Sequence, residues 1–249
     1  MIETCQQIGI KQVIRLEWMT KTVDFLLAGL DEKSIRRELH EFLAERKGSG
    51  LQEGRGHASR TQVVNMLMKT WVTPPARLLG HRDDALKIAG ELCAKNRIYL
   101  HWAVISAAYP FWFNVAKQCG RLLKLQDKVS QPQIFSRLRE TYGDRETVLR
   151  YARYTIRSFV AWGVLVDSPE KGCYAPSTKI AVKTPAEASL LFEAALLASP
   201  GQKAALSQLS ETPGLFPFEL PSVTGTQLAE VNQRLSVMRY GLDEEMLSV

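Results

Sequence analysis

Three arginines recur at helical spacing in the middle of the chain and could bind a polyanion. Arg150, Arg153 and Arg157 are separated by three and four residues, which places them on one face of a helix. Each guanidinium group carries a fixed positive charge and a fork of donors that suits phosphate oxygens or a guanine edge. The spacing therefore predicts a basic ridge able to bind nucleic acid, with Tyr154 beside it.

The segment that carries these arginines, Asp144–Trp162, is predicted to be an amphipathic helix. Largely apolar residues recur at steps of three and four on a face other than the one that carries the arginines. This stripe consists of Val148, Ala152, Thr155, Ile156 and Phe159, with Leu149 and Val160 at its margins. A helix with such a stripe packs that face against a core. A solvated basic face is also common on surface helices that bind no nucleic acid, and charge alone attracts anions without regard to sequence.

A second helix is predicted to precede the arginine helix. Ser130 begins a capping-box pattern with Gln133, and Pro132 lies in the first turn, so a helix is expected to begin here. Gly143 is expected to end this helix, and Asp144 is expected to cap the arginine helix that follows. The two helices are therefore joined by a tight turn.

A β-hairpin is predicted to follow the arginine helix. Val164–Val166 form an apolar run typical of a strand, residues 168–172 are turn-like, and Cys173–Tyr174 can return as a second strand. Helix, turn, helix and hairpin is the order of a winged helix-turn-helix, which we expect Ser130–Tyr174 to form. In that motif the second helix enters the major groove, and the wing contacts the backbone or the minor groove.

Positive charge is concentrated around this predicted motif. The chain has a net charge of +6 and a pI of about 9.2, and residues 117–179 alone hold twelve Lys or Arg against six Asp or Glu. That clustering favours double-stranded DNA as the partner. The predicted DNA-binding residues are Arg137, Arg139, Arg145, Arg150, Arg153, Tyr154, Arg157 and, in the wing, Lys171. Arg55 and Arg60, within and just after a Gly-rich segment over residues 47–58, are candidates for a second phosphate contact.

Histidine and cysteine spacing predicts no metal site, no cofactor and no catalytic residue. The cysteines are Cys5, Cys93, Cys119 and Cys173, the histidines are His40, His57, His81 and His101, and none forms a C-x-x-C or H-E-x-x-H pattern. His101 lies in an apolar segment and is expected to be a core histidine. The sequence His81-Arg-Asp-Asp84 admits acid–base chemistry, but a loop that leads into a helix N-cap accounts for it more simply.

Composition and periodicity predict a mainly α protein, a helical bundle with a winged helix-turn-helix and a small β-hairpin wing. We expect an N-terminal helical region over 1–75, a helical core with the winged motif over 76–180, and a helical and irregular extension over 181–249. The uncharged residues 98–116 approach the length of a membrane span, but the central Pro110 favours two buried helices. Since no signal-peptide pattern or cysteine pairing is visible, a cytoplasmic protein with no membrane partner is expected.

A family resemblance rests on the order of segments along Val13–Val166. The segments are an apolar helix ending Phe25-Leu-Leu-Ala-Gly-Leu30, a helix over 32–43, a helix start Ser59-Arg60-Thr61 leading to Met66-Leu67, a buried central helix pair, and a late helix ending Phe159-Val-Ala-Trp-Gly-Val-Leu165. This order resembles the BrxA family of BREX phage-defence systems. The resemblance implies a small, mainly helical, non-enzymatic DNA-binding component of an anti-phage island. The longer Gly-rich segment and the extra region Thr184–Val249 depart from that pattern.

Two functions from different classes follow from these patterns. The first is a non-enzymatic protein that binds duplex DNA through a basic winged helix, as a component of an anti-phage defence system with other subunits. The alternative is an assembly scaffold whose basic face binds an acidic protein partner. An enzyme whose catalytic residues meet only in space is a third and weaker possibility.

Overall fold

The computed structural model describes residues 8–46, 56–240 and 244–249, and helices dominate this part of the chain, as predicted. The α-helices are α1 Leu16–Leu27, α2 Glu32–Ala44, α3 His57–Leu67, α4 Leu79–Glu91, α5 Ile98–Ala108, α6 Pro110–Leu123, α7 Gln131–Tyr142, α8 Glu146–Ala161, α9 Pro185–Leu197, α10 Leu206–Ser210 and α11 Gly225–Val231. The strands are β1 Val129–Ser130, β2 Leu165–Asp167, β3 Cys173–Pro176, β4 Ile180–Ala181, β5 Lys203–Ala205, β6 Phe218–Glu219, β7 Ser236–Tyr240 and β8 Glu244–Ser248. Arg55 and most of the Gly-rich segment lie outside the described residues.

The strands form two antiparallel sheets and one parallel pair. The first sheet has the order β1-β3-β2, the last has the order β5-β8-β7, and β4 pairs in parallel with β6. In the first sheet Tyr174 of β3 lies opposite Val129 of β1 on one side and Asp167 of β2 on the other. The predicted hairpin is therefore present as β2 and β3, and it gains a third strand, β1, that the sequence did not predict.

Two helices at the centre of the core are buried on all sides. Every residue of α5 is buried, and so are residues 188–197 of α9. α5 and α6 are separate helices because Pro110 has no amide hydrogen with which to continue the first one. The long apolar segment is therefore two buried helices, as predicted. Among the described residues, no helix combines the length and apolarity needed to cross a bilayer.

An aromatic cluster in this core holds the buried face of α8. Trp102 of α5 packs against Phe159 of α8 with 5.0 Å between ring centroids, and Trp112 of α6 meets the same ring edge-on at 4.8 Å. Trp162, just beyond α8, donates from Nε1 to the carbonyl oxygen of Ile14 at 3.0 Å. Aromatic pairs of this kind contribute about 0.5–1.5 kcal/mol each beyond the area they bury. The inner face of α8 is thus fixed by contacts to three other parts of the chain.

A buried ionic cluster joins α9 to the C-terminal region. Glu193 is 1% exposed, and its carboxylate lies 3.0 Å from His81 Nδ1, 2.8 Å from Asn232 Nδ2 and 2.6 Å from Arg234 Nε. Arg234 also pairs with Asp84 at 2.8 Å. Burial opposes ionisation of Glu193, but hydrogen bonds from His81 and Arg234 outweigh it and lower the pKa of Glu193 to about 2. The carboxylate is therefore charged at neutral pH.

The prediction of a loop at His81–Asp84 is wrong. These residues lie inside α4, which begins at Leu79 and has no side-chain cap at its N-terminus. The physical reason is the ionic cluster, because one helix face carries His81 to Glu193 and Asp84 to Arg234. Asp84 therefore binds a cation on another segment, and Asp83 pairs with the adjacent Arg82, so neither acid caps a helix.

His101 is a core histidine, as predicted. The residue is fully buried in α5, its Nε2 lies 3.3 Å from Thr20 Oγ1, and its ring meets Trp71 edge-on at 5.4 Å. Burial, together with the nearby charge of Arg97, lowers the pKa of His101 to about 3. The imidazole is therefore neutral in the folded protein across the physiological range.

Mild acid is expected to destabilise the protein through His101. The unfolded chain binds a proton near the ordinary pKa of 6.5, whereas the folded protein binds it only near pH 3. The contribution of His101 to stability is therefore full above pH 6.5 and falls by about 1.4 kcal/mol per unit as the pH drops through that window. The free energy of unfolding, measured with urea, should fall less between pH 7 and pH 5 for His101→Gln than for wild type. The exposed His57→Gln is the control, and parallel curves for wild type and His101→Gln would contradict the prediction.

Candidate nucleic-acid interface

The start of α7 and the turn that ends it follow from local sequence. The Ser130 hydroxyl accepts from the amide of Gln133, whose side chain reaches back to the Ser130 amide at 2.9 Å, so the predicted capping box is confirmed. Gly143 ends α7 with a φ of 76°, a conformation that favours glycine. Asp144 does not cap α8 as predicted, because its Oδ1 binds Arg139 Nε at 2.8 Å and Arg145 occupies the N-cap position.

α8 is the amphipathic helix that the sequence predicts. Its buried residues are Val148, Ala152, Thr155, Ile156, Ser158 and Phe159. Arg150, Arg153 and Arg157 are all exposed on the opposite side of the helix. Tyr154 is half-buried beside them and stacks on Tyr151, with ring centroids 6.3 Å apart. The predicted ridge therefore exists as a surface.

The three arginines of this ridge differ in how they are bound. Arg150 and Arg153 pair with no carboxylate in the described part of the chain. Each guanidinium lies near an aromatic ring instead, Arg150 at 5.4 Å from Tyr151 and Arg153 at 5.8 Å from Phe135. Such contacts leave the charge and most of the donors free for an anion.

Arg157 is bound within the protein. Its Nη1 lies 2.5 Å from Asp167 Oδ1, which links α8 to β2. Partial burial lowers the pKa of Arg157, but the interactions with Asp167 and Tyr174 outweigh this effect and raise it above its ordinary value. Arg157 therefore stabilises the position of the hairpin, and its charge is largely balanced by Asp167.

The hairpin turn is attached to the start of α7. The amide of Gln131 donates to the carbonyl oxygen of Gly172 at 2.9 Å, and the side chain of Gln131 also contacts the hydroxyl of Tyr174. Lys128 pairs with Glu170 of the turn at 3.1 Å, which balances the acid there. Lys171 is exposed at the tip and has no acidic partner within the described ranges.

The basic residues of α7 and of the turn after it have partners. Arg137 pairs with Glu140 at 3.7 Å, Arg139 pairs with Asp144, and Arg145 Nε donates to the carbonyl oxygen of Tyr142 at 3.1 Å. Exposed ion pairs contribute only about 0–1 kcal/mol, so Arg137 and Arg139 can exchange a carboxylate for a phosphate at little cost. Among the predicted DNA-binding cations of α7, α8 and the hairpin, Arg150, Arg153 and Lys171 are the ones whose side chains form no ion pair or hydrogen bond with any described residue.

Arg60, the described member of the predicted second contact, folds back on the protein. Its Nη1 donates to the carbonyl oxygen of His40 at 3.4 Å, and it borders a cleft where His40 and His57 stack with ring centroids 5.9 Å apart. The hydrogen bond from Arg60 to His40 and the stacking of His40 on His57 both lie between α2 and α3. Arg60 therefore stands apart from the ridge, and Arg55 lies outside the described residues.

A function can be inferred from the basic side chains of α7, α8 and the β2–β3 hairpin. Comparison of the chain with protein-family models, with curated proteins and with solved structures finds no match. Within the described ranges, no group of three or more His, Cys, Asp or Glu side chains is placed to hold a metal ion. The chemistry available at this surface is that of guanidinium and ammonium groups, which bind oxyanions.

Proposed function

We propose that α6, β1, α7, α8 and the β2–β3 hairpin form a winged helix-turn-helix that binds duplex DNA, with α8 in the major groove. One observation carries the proposal: α8 exposes the unpaired Arg150 and Arg153 while its other face is buried in the aromatic core. A helix can present side chains to base edges only when its own position is fixed. The same two guanidinium groups also suit phosphate oxygens.

The dimensions and order of the elements support this mode of binding. α8 has 16 residues and is about 24 Å long, at about 1.5 Å per residue. The major groove of B-form DNA is about 12 Å wide and admits an α-helix. The hairpin follows α8 directly and carries Lys171 at its tip, so it can act as the wing that contacts the backbone beside the groove.

The cellular role that fits this activity is a non-enzymatic component of an anti-phage defence system. The order of helices that resembles the BrxA family supports that role, together with the mainly helical architecture. Other subunits of such a system would be further partners. The activity on DNA can be tested without them.

Direct titration tests the proposal. A random 20-base-pair duplex should bind with a Kd on the order of micromolar at low salt, and the affinity should fall steeply as salt is raised. Double-stranded RNA of the same length should bind more weakly, because the A-form major groove is too deep and narrow for a helix to enter. The decisive measurement is made in 50 mM salt, where the Debye length is about 10 Å or more and charges are only weakly screened. Failure to bind duplex DNA under this condition would overturn the proposal. It would favour the alternative function, an assembly scaffold that binds an acidic protein partner.

A further inference from the structure

A cleft of about 290 Å³ lies at the junction of α5 and α6 and is lined by two cationic side chains. Lys69 and Arg77 both line it, together with the rings of Pro75, Tyr109 and Pro110. Among the described residues that line it, none carries an acidic side chain. The cleft is separate from the exposed face of α8, so its charges need their own explanation.

Irregular backbone brings the two cations to this cleft. α3 continues into a π-helical turn, Met68–Val72, in which Lys69 lies, and the amide of Thr73 donates to the carbonyl oxygen of Met68 at 2.7 Å. Pro74 and Pro75 then turn the chain into a short 3₁₀ helix that carries Arg77. π-Helical turns are rare and occur often at functional sites.

The electrostatics of the cleft favour an anion. Lys69 is half-buried, its Nζ lies 4.7 Å from the centroid of the Tyr109 ring, and burial together with the charge of Arg77 lowers its pKa. Neither Lys69 nor Arg77 pairs with a carboxylate among residues 8–46, 56–240 and 244–249. Two like charges in a partly enclosed site repel each other. An oxyanion bound between them would attract both and so replace the repulsion by a net attraction.

The cleft lies at the same end of α6 as the start of α8. Pro110 lines the cleft and begins α6, and the next residue, Phe111, meets Tyr142 edge-on at 5.2 Å. Asn114 of α6 also donates from Nδ2 to the Tyr142 hydroxyl at 2.5 Å. Tyr142 ends α7 and directly precedes the turn into α8. The first turn of α6, about 5.4 Å long, therefore contacts both the cleft and the residue that ends α7.

We infer that this cleft binds a phosphate group through Lys69 and Arg77, and that the group is a backbone phosphodiester of the DNA bound by α8. The assignment of the phosphate to DNA rests on the proposed function, whereas the phosphate site itself does not. Lys69 supplies a compact ammonium charge, and Arg77 supplies a guanidinium fork for two oxygens. A phosphate of a free nucleotide or inorganic phosphate has the same chemistry, so the experiment must separate the sources.

Inorganic phosphate tests the site without DNA. Thermal unfolding is measured in sodium phosphate and in sodium chloride at equal ionic strength, for wild type, for Lys69→Met/Arg77→Gln and for the control Lys33→Gln/Lys87→Gln. The control removes the same charge from exposed positions on α2 and α4 that have no acidic partner among the described residues. Phosphate should raise the Tm of wild type and control more than that of the cleft variant, because only bound ligand stabilises the folded state specifically. Equal rises in all three proteins would overturn the site.

Duplex titration then tests the source of the phosphate. Lys69→Met/Arg77→Gln should bind the duplex several-fold more weakly than the Lys33→Gln/Lys87→Gln control, with a salt slope smaller by about 1 to 2. Loss of the phosphate response with unchanged duplex affinity would overturn the DNA assignment and identify a free phosphate compound as the ligand. If wild type binds no duplex but keeps its phosphate response, the proposed function fails and the phosphate site stands.

Discussion

Replacing Arg150 and Arg153 together by glutamine is expected to weaken duplex binding by roughly tenfold or more at low salt, since a hydrogen bond to a charged group contributes about 1.5–3 kcal/mol. These are the two ridge arginines that form no ion pair with a carboxylate of the described residues, whereas Arg157 pairs with Asp167. The slope of log affinity against log salt should also fall by about 2, because each lost phosphate contact lowers it by about 0.9. Fluorescence anisotropy of a labelled duplex across a salt series measures both quantities.

A matched control separates this effect from the loss of charge alone. Lys33→Gln/Lys87→Gln removes two positive charges from exposed positions of α2 and α4 that have no acidic partner among the described residues, and it should lower the affinity much less. Arg157→Gln should also cost less duplex affinity than either free arginine, because its charge is already balanced by Asp167. A folded Arg150→Gln/Arg153→Gln protein that binds duplex as tightly as wild type would refute the role assigned to α8.

Replacing Glu193 by alanine is expected to lower the free energy of unfolding by about 3–5 kcal/mol, because removing one partner of a buried ionic group leaves the others uncompensated. Arg234 and His81 would both lose their carboxylate, and Asn232 would lose an acceptor. For a chain of this length the loss corresponds to a fall in Tm of about 10 °C. Urea and thermal unfolding at pH 7 measure it.

An exposed glutamate on a neighbouring helix is the control for this variant. Glu230→Ala on α11 removes the same group where it is solvent-exposed and should change stability by less than about 0.5 kcal/mol. The difference between wild type and Glu193→Ala should shrink as the pH falls from about 4.5 towards 2, where the wild-type carboxylate becomes protonated. A loss below about 1 kcal/mol at pH 7 would mean that the cluster stabilises the fold little.

Features that depend on residues close in sequence could be predicted. The capping box at Ser130, the end of α7 at Gly143 and the two faces of α8 are all set within a few turns of the chain. Helix periodicity and capping chemistry are local properties, so one sequence is enough to locate them. The break at Pro110 belongs to the same class, because it follows from the chemistry of one residue.

Features that depend on distant residues could not be predicted. β1 is a two-residue strand, and nothing in Val129–Ser130 specifies the partners Tyr174 and Cys173, which follow 45 and 43 residues later in the chain. Asp144 matches the pattern of an N-cap, yet its carboxylate binds the charged guanidinium group of Arg139 instead of a neutral backbone amide. The partner of Arg157 and the meeting of Lys69 with Arg77 likewise depend on how separate elements pack. Sequence spacing therefore located the ridge but not which of its charges are free.

The attachment of the hairpin has a mechanical consequence. Asp167 binds Arg157 on α8, and Gly172 binds Gln131 at the start of α7, so two links on opposite sides hold the turn against the helices. α8 itself is held by Phe159 in the aromatic core. In a complex with DNA, helix and wing would move as one stiff body, and the duplex would have to adjust its groove width and curvature to their fixed separation. Flexible base steps would then bind better than rigid ones, even where no side chain touches a base.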